Sequence, residues 1–249
     1  MTTSKVTSLE QLGELPKGLS FFDPILHHEV KEALEAGGDV YVSNDSKGET
    51  DGLFIYDTYE ATGTIFTKSR QVFDEFFRLK PESFIFSELD VGGVPRENWN
   101  IWQLDVDKAP LKHRFRHHVE METDVKEIER FMAATQPDTN PKWVKVALDN
   151  GDKCFVVKIA GRIVGMAWMS IVDGVARSHG LYTEAQFRRR GLMRDNLAAR
   201  VAYLKFRHVH VLFNEIAEDN VASSAHAQRA GEVIAGKLFL YTSPKSESG

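Results

Sequence analysis

The segment that decides the fold reads Arg188-Arg189-Arg190-Gly191-Leu192-Met193 and lies between a predicted strand and a predicted helix. Backbone N–H groups at the start of a helix have no intrahelical partner, and the helix dipole adds partial positive charge there. A glycine lets the backbone come close to a ligand, and neighbouring arginines favour a ligand with several phosphates. The segment therefore predicts an anion-binding turn, although the same residues also suit a basic turn that faces solvent.

The predicted elements around this turn alternate between strands and helices. The helix that follows it carries Met193, Leu197, Val201 and Leu204 on one apolar stripe. Other predicted elements are strands at residues 118–123, 154–160, 163–172, Val175–Thr183, 208–214 and 232–241, and helices at 125–134 and Val221–Ala230. The sequence signals behind them include a capping-box spacing at Asp124 and the hairpin pair Asp173-Gly174.

A second landmark lies about thirty residues after Gly191, where Asn220-Val-Ala-Ser223 opens a helix that ends near Gly231. Together with the order of the elements, this pair of segments resembles the GNAT superfamily of N-acetyltransferases. The family's loop motif is Arg/Gln-x-x-Gly-x-Gly/Ala, and Arg188 and Gly191 stand at its two best-matching positions. The resemblance covers about 130 residues of the second half.

This resemblance implies a GNAT fold, an α/β (α+β) arrangement in which helices flank a central mixed, mostly antiparallel sheet. It implies acetyl-CoA as a co-substrate, with loop amides on the pyrophosphate and a strand and an Asn beside the pantetheine arm. The implied binding residues are Leu181, Tyr182, Thr183, Arg188, Arg189, Arg190, Gly191, Leu192, Met193, Arg194, Asn220 and Ser223.

Two residues depart from the family pattern. Met193 replaces the small last residue of the loop motif, which suggests a wider loop or a weaker affinity for the cofactor. Ala227 stands where many members have a Tyr that protonates the leaving thiolate. That role therefore passes to another group or stays empty.

The resemblance also implies direct attack of an amine on the thioester, with a backbone N–H near Leu181 polarising the carbonyl. Strand alternation predicts that Arg177, His179 and Leu181 share one face, so a neutral His179 is a candidate general base. Glu215 is a second candidate base, and Ser223 is the candidate for stabilising the thiolate. Each of these residues also suits an ordinary polar role in its strand or helix.

The first half repeats part of this plan, either as a weak internal repeat or because the order is common in α/β proteins. The paired segments are 52–56 with 165–169 and 62–67 with 178–183, followed by a helix at 72–79 and a strand at 83–86. The repeat predicts a smaller, degenerate GNAT-like α/β domain of similar strand order at 1–108, before a GNAT acyltransferase domain at 109–249. Lys68-Ser69-Arg70-Gln71 stands in place of the glycine loop, so we expect no second coenzyme A there.

Composition limits the class of protein. The formal net charge of the 249 residues is −5, which gives no electrostatic reason to bind nucleic acid or an anionic membrane. No stretch resembles a signal peptide or approaches the roughly 18 apolar residues of a membrane helix, so we expect a cytoplasmic protein. Cys154 is the only cysteine, and the histidines lack a clustered carboxylate or Cys partner, so we expect no metal.

The leading hypothesis from the sequence is an N-acetyltransferase that acts on a primary amine of a small molecule or a peptide. A non-catalytic acyl-CoA sensor or scaffold of the same fold is the alternative. A longer acyl chain or an aminoacyl donor is a third possibility, which depends on the pocket near Trp168, Leu181 and Ser223. The sequence identifies neither the acceptor nor the oligomeric state.

Overall fold

The computed structural model describes residues 2–12, 15–20, 23–80, 83–92, 97–109, 113–140 and 142–242. Pro110, which follows the sequence-based domain boundary between residues 108 and 109, lies outside this part of the chain, as do Pro141 and the residues after 242.

The chain divides into two compact units. The first comprises residues 1–100 and 236–249, and the second comprises residues 101–235. The last strand therefore begins in the second unit and continues into the first. The domain bounds 1–108 and 109–249 remain a prediction from the sequence. The boundary between the two compact units lies after residue 100 instead, and residues 236–249 belong to the first unit.

The second unit contains a mixed sheet with helices on both faces. Its strand order is β6-β11-β10-β9-β8-β7, in which β10 and β11 are parallel and the β7, β8, β9 and β10 neighbours are antiparallel. Its strands are β6 (Glu97–Asp105), β7 (Val119–Glu122), β8 (Lys153–Ile159), β9 (Arg162–Val172), β10 (Val175–Thr183) and β11 (Val211–Ala217). Only the part of β6 from Ile101 onward belongs to this unit. Its helices are α4 (Val125–Thr135), α5 (Trp143–Asp149), α6 (Leu192–Phe206) and α7 (Val221–Ala230).

One apolar cluster lies on each face of this sheet. On one face, α4 and α5 bury Ile128, Phe131 and Val144 against Val156, Met166 and Trp168 of the sheet. On the other, α6 buries Leu197, Val201 and Leu204 against Phe155, Ala176 and Leu212. The stripe predicted for α6 is therefore the face that packs on the sheet. The candidate functional site lies at one end of this layered arrangement of helices and sheet.

The first unit repeats the same order of elements. Its helices are α1 (Leu9–Leu12), α2 (Asp23–Ala36) and α3 (Arg70–Leu79). Its strand order is β1-β2-β3-β4-β5-β12, with bounds Thr2–Val6, Asp39–Asn44, Thr50–Asp57, Thr62–Thr67, Phe84–Ser87 and Val233–Thr242. In the order of the chain, α3 lies between the parallel strands β4 and β5, just as α6 lies between β10 and β11. Phe73 and Phe76 are buried in the core, as their helical spacing predicts.

Most predicted elements are present, with two differences in the second unit. Helix α5 is absent from the sequence-based prediction. The residues just before it, 136–141, are rich in Pro, Asn and Asp, which favour a loop over a helix. The strand predicted at 208–214 begins only at Val211, because His208 has a φ of 54° and ends α6 in a left-handed turn. Among the described residues, no helix is long and apolar enough to cross a membrane.

Helix α4 begins at a side-chain cap that can be tested. The carboxylate of Asp124 accepts hydrogen bonds from the backbone N–H groups of Lys126 and Glu127, at 2.9 and 3.3 Å. We expect Asp124→Ala to lower the free energy of unfolding by about 1 kcal/mol, because both N–H groups lose their acceptor. Urea denaturation measures this loss. Asp124→Asn keeps an acceptor and should retain most of the stability, and equal losses in both variants would contradict the capping role.

Candidate functional site

Strands β10 and β11 separate partway along their length. Their parallel register runs from Val175 opposite Val211 to Ser178 opposite Asn214. Beyond these residues, β10 continues to Thr183 and β11 to Ala217. The two strands therefore form an open V whose floor is the pair Ser178 and Asn214.

A β-bulge in β10 lies at the start of the open part. His179 faces Trp168 and Tyr182 faces Met166, so two residues of β10 oppose one residue of β9. Gly180 takes a φ of 56°, and a Cβ on it would lie 2.9 Å from the Trp168 ring. Both the backbone angle and the close ring require glycine here.

The bulge overturns the predicted alternation of side chains. Tyr182 packs against Phe131 of α4, with 6.0 Å between ring centroids, so it shares the α4 and α5 face with His179. Leu181 precedes Tyr182 and lies on the opposite face, 44% exposed. The prediction that His179 and Leu181 share a face is wrong, because the bulge adds one residue between them.

The basic loop enters α6 through two left-handed residues. Arg189 has a φ of 63° and Gly191 a φ of 86°, and Gly191 is the N-cap without a side-chain hydrogen bond. The first amides of α6 are therefore available to an anion. Arg188 donates from Nε to the Thr183 carbonyl oxygen at 3.1 Å, which fixes the loop to the end of β10. The side chains of Arg188, Arg189, Arg190 and Arg194 are all exposed.

Met193 directs its side chain toward the sheet. Its Cε lies 3.0 Å from the position that a Cβ on Gly165 of β9 would occupy. A small residue at Gly165 thus makes room for the thioether. Leu192, the first residue of the helix, is buried against Val157 and Val164.

The second landmark segment forms the N-terminus of α7. Asn220 is the N-cap, and its Oδ1 accepts from the Ser223 backbone N–H at 3.1 Å. Ser223 is half-buried, while Ala227 is fully buried and brings no phenol to the site. Two hydroxyl groups near the V are buried without a hydrogen-bond partner in the described chain, those of Thr183 and Ser224.

His179 belongs to a polar cluster on the α4 and α5 face. Its Nε2 lies 3.1 Å from Ser170 Oγ and 3.2 Å from Asp152 Oδ2, and Ser170 Oγ donates to Asp152 Oδ2 at 2.9 Å. The Asp152 side chain has no exposure, and that of His179 is 20% exposed. The Trp143 ring meets the imidazole edge to face, with 5.5 Å between centroids. A histidine held by a buried carboxylate in this way can accept a proton.

Glu215 is engaged by a cation. Arg177 Nε and Nη2 donate to its two carboxylate oxygens at 2.8 and 2.9 Å, in a bidentate pair. This pairing makes Glu215 a weaker candidate base than His179, since its oxygens already accept charged hydrogen bonds. Cys154 is buried, and burial raises the pKa of its thiol, which agrees with a packing role.

A buried arginine lies under the floor of the V. Arg200 donates from Nε to Asn196 Oδ1 at 3.0 Å and from Nη1 to Ser178 Oγ. Asn214 donates to Glu232 at 2.7 Å, and the Glu232 charge attracts Arg200. Burial lowers the pKa of Arg200 to about 10, so the guanidinium is still charged at neutral pH. Burial also raises the pKa of Glu232, which the Asn214 bond partly offsets.

Another buried carboxylate holds the first turn of α6 in place. Asp195 accepts from His113 Nε2 and His117 Nδ1, at 2.7 Å each, and from the backbone N–H groups of Arg116 and His117. Burial alone would raise the pKa of Asp195, but these hydrogen bonds outweigh it and lower that pKa. His118 and His210 pair with Glu120 and Asp107. Only His118 bonds to a near neighbour in the chain, whereas His113, His117 and His210 bond to carboxylates far away in the sequence. The expectation that the histidines lack a clustered carboxylate is therefore wrong for His113 and His117, which share Asp195.

Sequence reasoning missed Asp152, Asp195 and Arg200. Asp152 follows a glycine turn and has no motif around it. Arg200 and Asn196 are one helical turn apart beside the apolar stripe of α6, and this spacing was the one signal that could have marked them as buried.

Comparisons with known proteins concern the family and the fold. The model of the Acetyltransferase (GNAT) family matches residues 115–231, the part of the chain for which the sequence indicates this resemblance. The comparison with curated proteins finds no match. The sequence-based identification of the family and of the fold class is confirmed.

Solved structures share the fold at low sequence identity. A Drosophila melanogaster protein is 12% identical, with a TM-score of 0.70 over 98% of this chain and 99% of that chain. A tandem GNAT protein from the clavulanic acid biosynthesis pathway is 13% identical, with a TM-score of 0.60 over 99% and 100%. A GCN5-related N-acetyltransferase from Sphaerobacter thermophilus is 12% identical, with a TM-score of 0.58 over 81% and 79%.

The Asp195 cluster predicts a pH-dependent stability. We expect Asp195→Asn to cost about 3 kcal/mol of unfolding free energy at neutral pH, because it breaks a buried network of charged hydrogen bonds. The folded pKa is lowered, so this stability is fully present above the unfolded pKa of about 4 and is lost as the pH falls through the folded value. Denaturation of both proteins at several pH values measures the gap. A gap that widens in acid would contradict the assignment.

Proposed function

We propose that the chain is an N-acetyltransferase that moves an acetyl group from acetyl-CoA to a primary amine of a small molecule or a peptide. The observation that carries the proposal is the open V between β10 and β11, beside a helix whose N-terminus has no side-chain cap. The protein acts in a complex of both substrates, and the amine attacks the thioester directly.

The donor half of the site is formed by β10, the basic loop and α7. The amides from Arg189 to Arg194 hold the pyrophosphate, and the exposed arginines of the loop add positive charge. Leu181, Tyr182 and Thr183 line the pantetheine arm, with the buried Thr183 hydroxyl lacking any other partner among the described residues. Asn220 and Ser223 lie at the start of α7, on the other side of the arm.

Catalysis needs a polarised carbonyl, a deprotonated amine and a stabilised thiolate. The Leu181 backbone N–H lies in the bulge and polarises the thioester carbonyl. His179 faces the α4 and α5 side and accepts the proton of the attacking amine. Ser223 donates to the departing sulfur, and the buried charge of Arg200 below the floor favours the anion.

The first unit has no comparable donor site in this proposal. Its corresponding helix α3 begins at Ser69, whose Oγ accepts from the Val72 backbone N–H at 3.4 Å. A side-chain cap occupies an amide that an anion would need. The absence of glycine from this turn points the same way.

A sensor or scaffold that binds acyl-CoA without turnover is the second candidate. The observation that favours it is Ala227, which is buried where many family members have a phenol. Release of free CoA from acetyl-CoA, dependent on an added amine, distinguishes the two. An enzyme releases CoA with at least one amine of a broad panel, whereas a sensor binds acetyl-CoA and releases none.

The donor site is tested by Gly191→Glu. We expect the variant to bind acetyl-CoA at least about 100-fold more weakly in calorimetry, because a carboxylate at the N-terminus of α6 repels the pyrophosphate. Gly161→Glu is the matched control: Gly161 also has a positive φ, of 75°, and open space around it, but it lies in the β8–β9 turn. Equal affinity in the two folded variants would refute the proposed phosphate site.

The base is tested by His179→Ala. We expect kcat to fall by about 10²- to 10⁴-fold, because the amine loses its proton acceptor, while the affinity for acetyl-CoA stays within a few-fold. Glu215→Gln should reduce kcat much less, since Glu215 already pairs with Arg177. The reverse order of effects would transfer the role of base to Glu215.

A further inference from the structure

The cluster around His179 determines which of its two ring nitrogens can act as the base. This inference rests on the proposed function, because it concerns the residue that accepts the proton. The relevant contacts are those of Nε2, which lies within 3.2 Å of both Asp152 Oδ2 and Ser170 Oγ. No hydrogen bond of Nδ1 is seen within the described part of the chain.

With Asp152 ionised, the donors and acceptors present give the direction of these bonds. The Asp152 carboxylate only accepts hydrogen bonds when it is ionised. The single hydroxyl hydrogen of Ser170 is directed to Asp152 Oδ2, at 2.9 Å. Neither group then has a hydrogen for Nε2, so two such short contacts require that Nε2 itself carries the proton and donates.

We propose that Asp152 is a positioning residue that, with Ser170, keeps the neutral His179 protonated on Nε2 and leaves the lone pair on Nδ1. Nδ1 is therefore the atom that takes the proton of the amine. The buried carboxylate also stabilises the imidazolium that results, since an ionised partner strengthens the Nε2 hydrogen bond. Trp143 packs on the ring and restricts its rotation.

The amine nitrogen forms a bond to the thioester carbonyl carbon, and its proton passes to Nδ1 of His179. The carbon–sulfur bond breaks, and its electron pair leaves with the sulfur. The thiolate then takes one proton, so the products are the amide and free CoA thiol, and His179 returns to its starting form by releasing its extra proton.

The strand register explains why these three side chains meet. Lys153 is paired with Met169, so Asp152 lies just beyond the end of β8, next to Ser170 of β9. His179 is paired with Trp168, two residues before Ser170 and on the same face. The cluster thus joins two neighbouring strands and the residue that leads into a third, so its geometry follows from the strand register.

The direct test is the tautomer of His179 in the folded protein. Two-bond ¹H–¹⁵N spectra of the ¹⁵N-labelled chain in mildly alkaline buffer distinguish a protonated from an unprotonated ring nitrogen, and His179→Gln identifies the signal by its loss. We expect protonated Nε2 and unprotonated Nδ1 in the wild type. A wild-type ring with its proton on Nδ1 would overturn the proposal, whether or not the protein has activity.

Asp152→Asn supplies the second readout. An amide can turn its NH₂ group toward Nε2 and favour the other tautomer, so we expect the signal to shift and kcat to fall by about 10³- to 10⁴-fold, with KM for acetyl-CoA unchanged. Ser170→Ala should cost less, about tenfold, because the carboxylate remains. Asp107→Asn is the matched control, since Asp107 pairs with His210 at 2.8 Å on the surface.

The outcomes separate this inference from the proposed function. A wild type with the expected tautomer but no turnover with any amine contradicts the transferase and leaves the positioning by Asp152 standing. An active wild type whose tautomer and kcat survive Asp152→Asn refutes the positioning and leaves the transferase intact. Circular dichroism of each variant, with Ser170→Ala as the milder change, separates both results from a loss of fold.

Discussion

The rest of the site depends on the separation of β10 from β11, and a buried cation lies where it begins. Arg200 is inserted under the last paired residues and bonds to Ser178. Burying a guanidinium costs several kcal/mol unless it is hydrogen-bonded and balanced by charge. Asn196 and Glu232 supply these requirements. The network therefore fixes the floor of the V, and beyond that floor the two strands no longer pair with each other.

The bulge at Gly180 shifts the alternation of side chains along β10, so the residues after it lie on the opposite face from the one that a regular strand would give them. Leu181 lies on one face, whereas His179 and Tyr182 lie on the other, beside α4 and α5. A regular strand would have placed His179 and Leu181 together. In the proposed function, the backbone N–H of Leu181 in this bulge is the donor that acts on the thioester carbonyl. One irregularity thus serves both the donor half and the acceptor half of the proposed site.

The two units share one order of elements but differ at the N-terminus of the helix between the parallel strands. Both have a pair of parallel strands joined by a helix. The helix of the second unit begins at Gly191 and leaves its amides open, while that of the first begins at Ser69 and closes one with its hydroxyl. The first helix turn of the second unit therefore keeps the uncapped amides that the proposed anion site needs, whereas that of the first unit does not.

The sequence by itself determined most of the order of elements, with the exception of α5, and also the basic turn at Gly191, the apolar stripe of α6 and the helix start at Asn220. Each of these is a local pattern set by neighbouring residues. The sequence also offered His179 as a candidate base, with Glu215 as the second candidate. Only the tertiary structure brought Asp152 and Ser170 to His179, and Asp195 to His113 and His117, since these partners are far apart in the chain. The face of Leu181 was decided by a bulge, which depends on pairing with Trp168 in another strand. Contacts of this kind follow from strand register, and register is a property of the folded sheet.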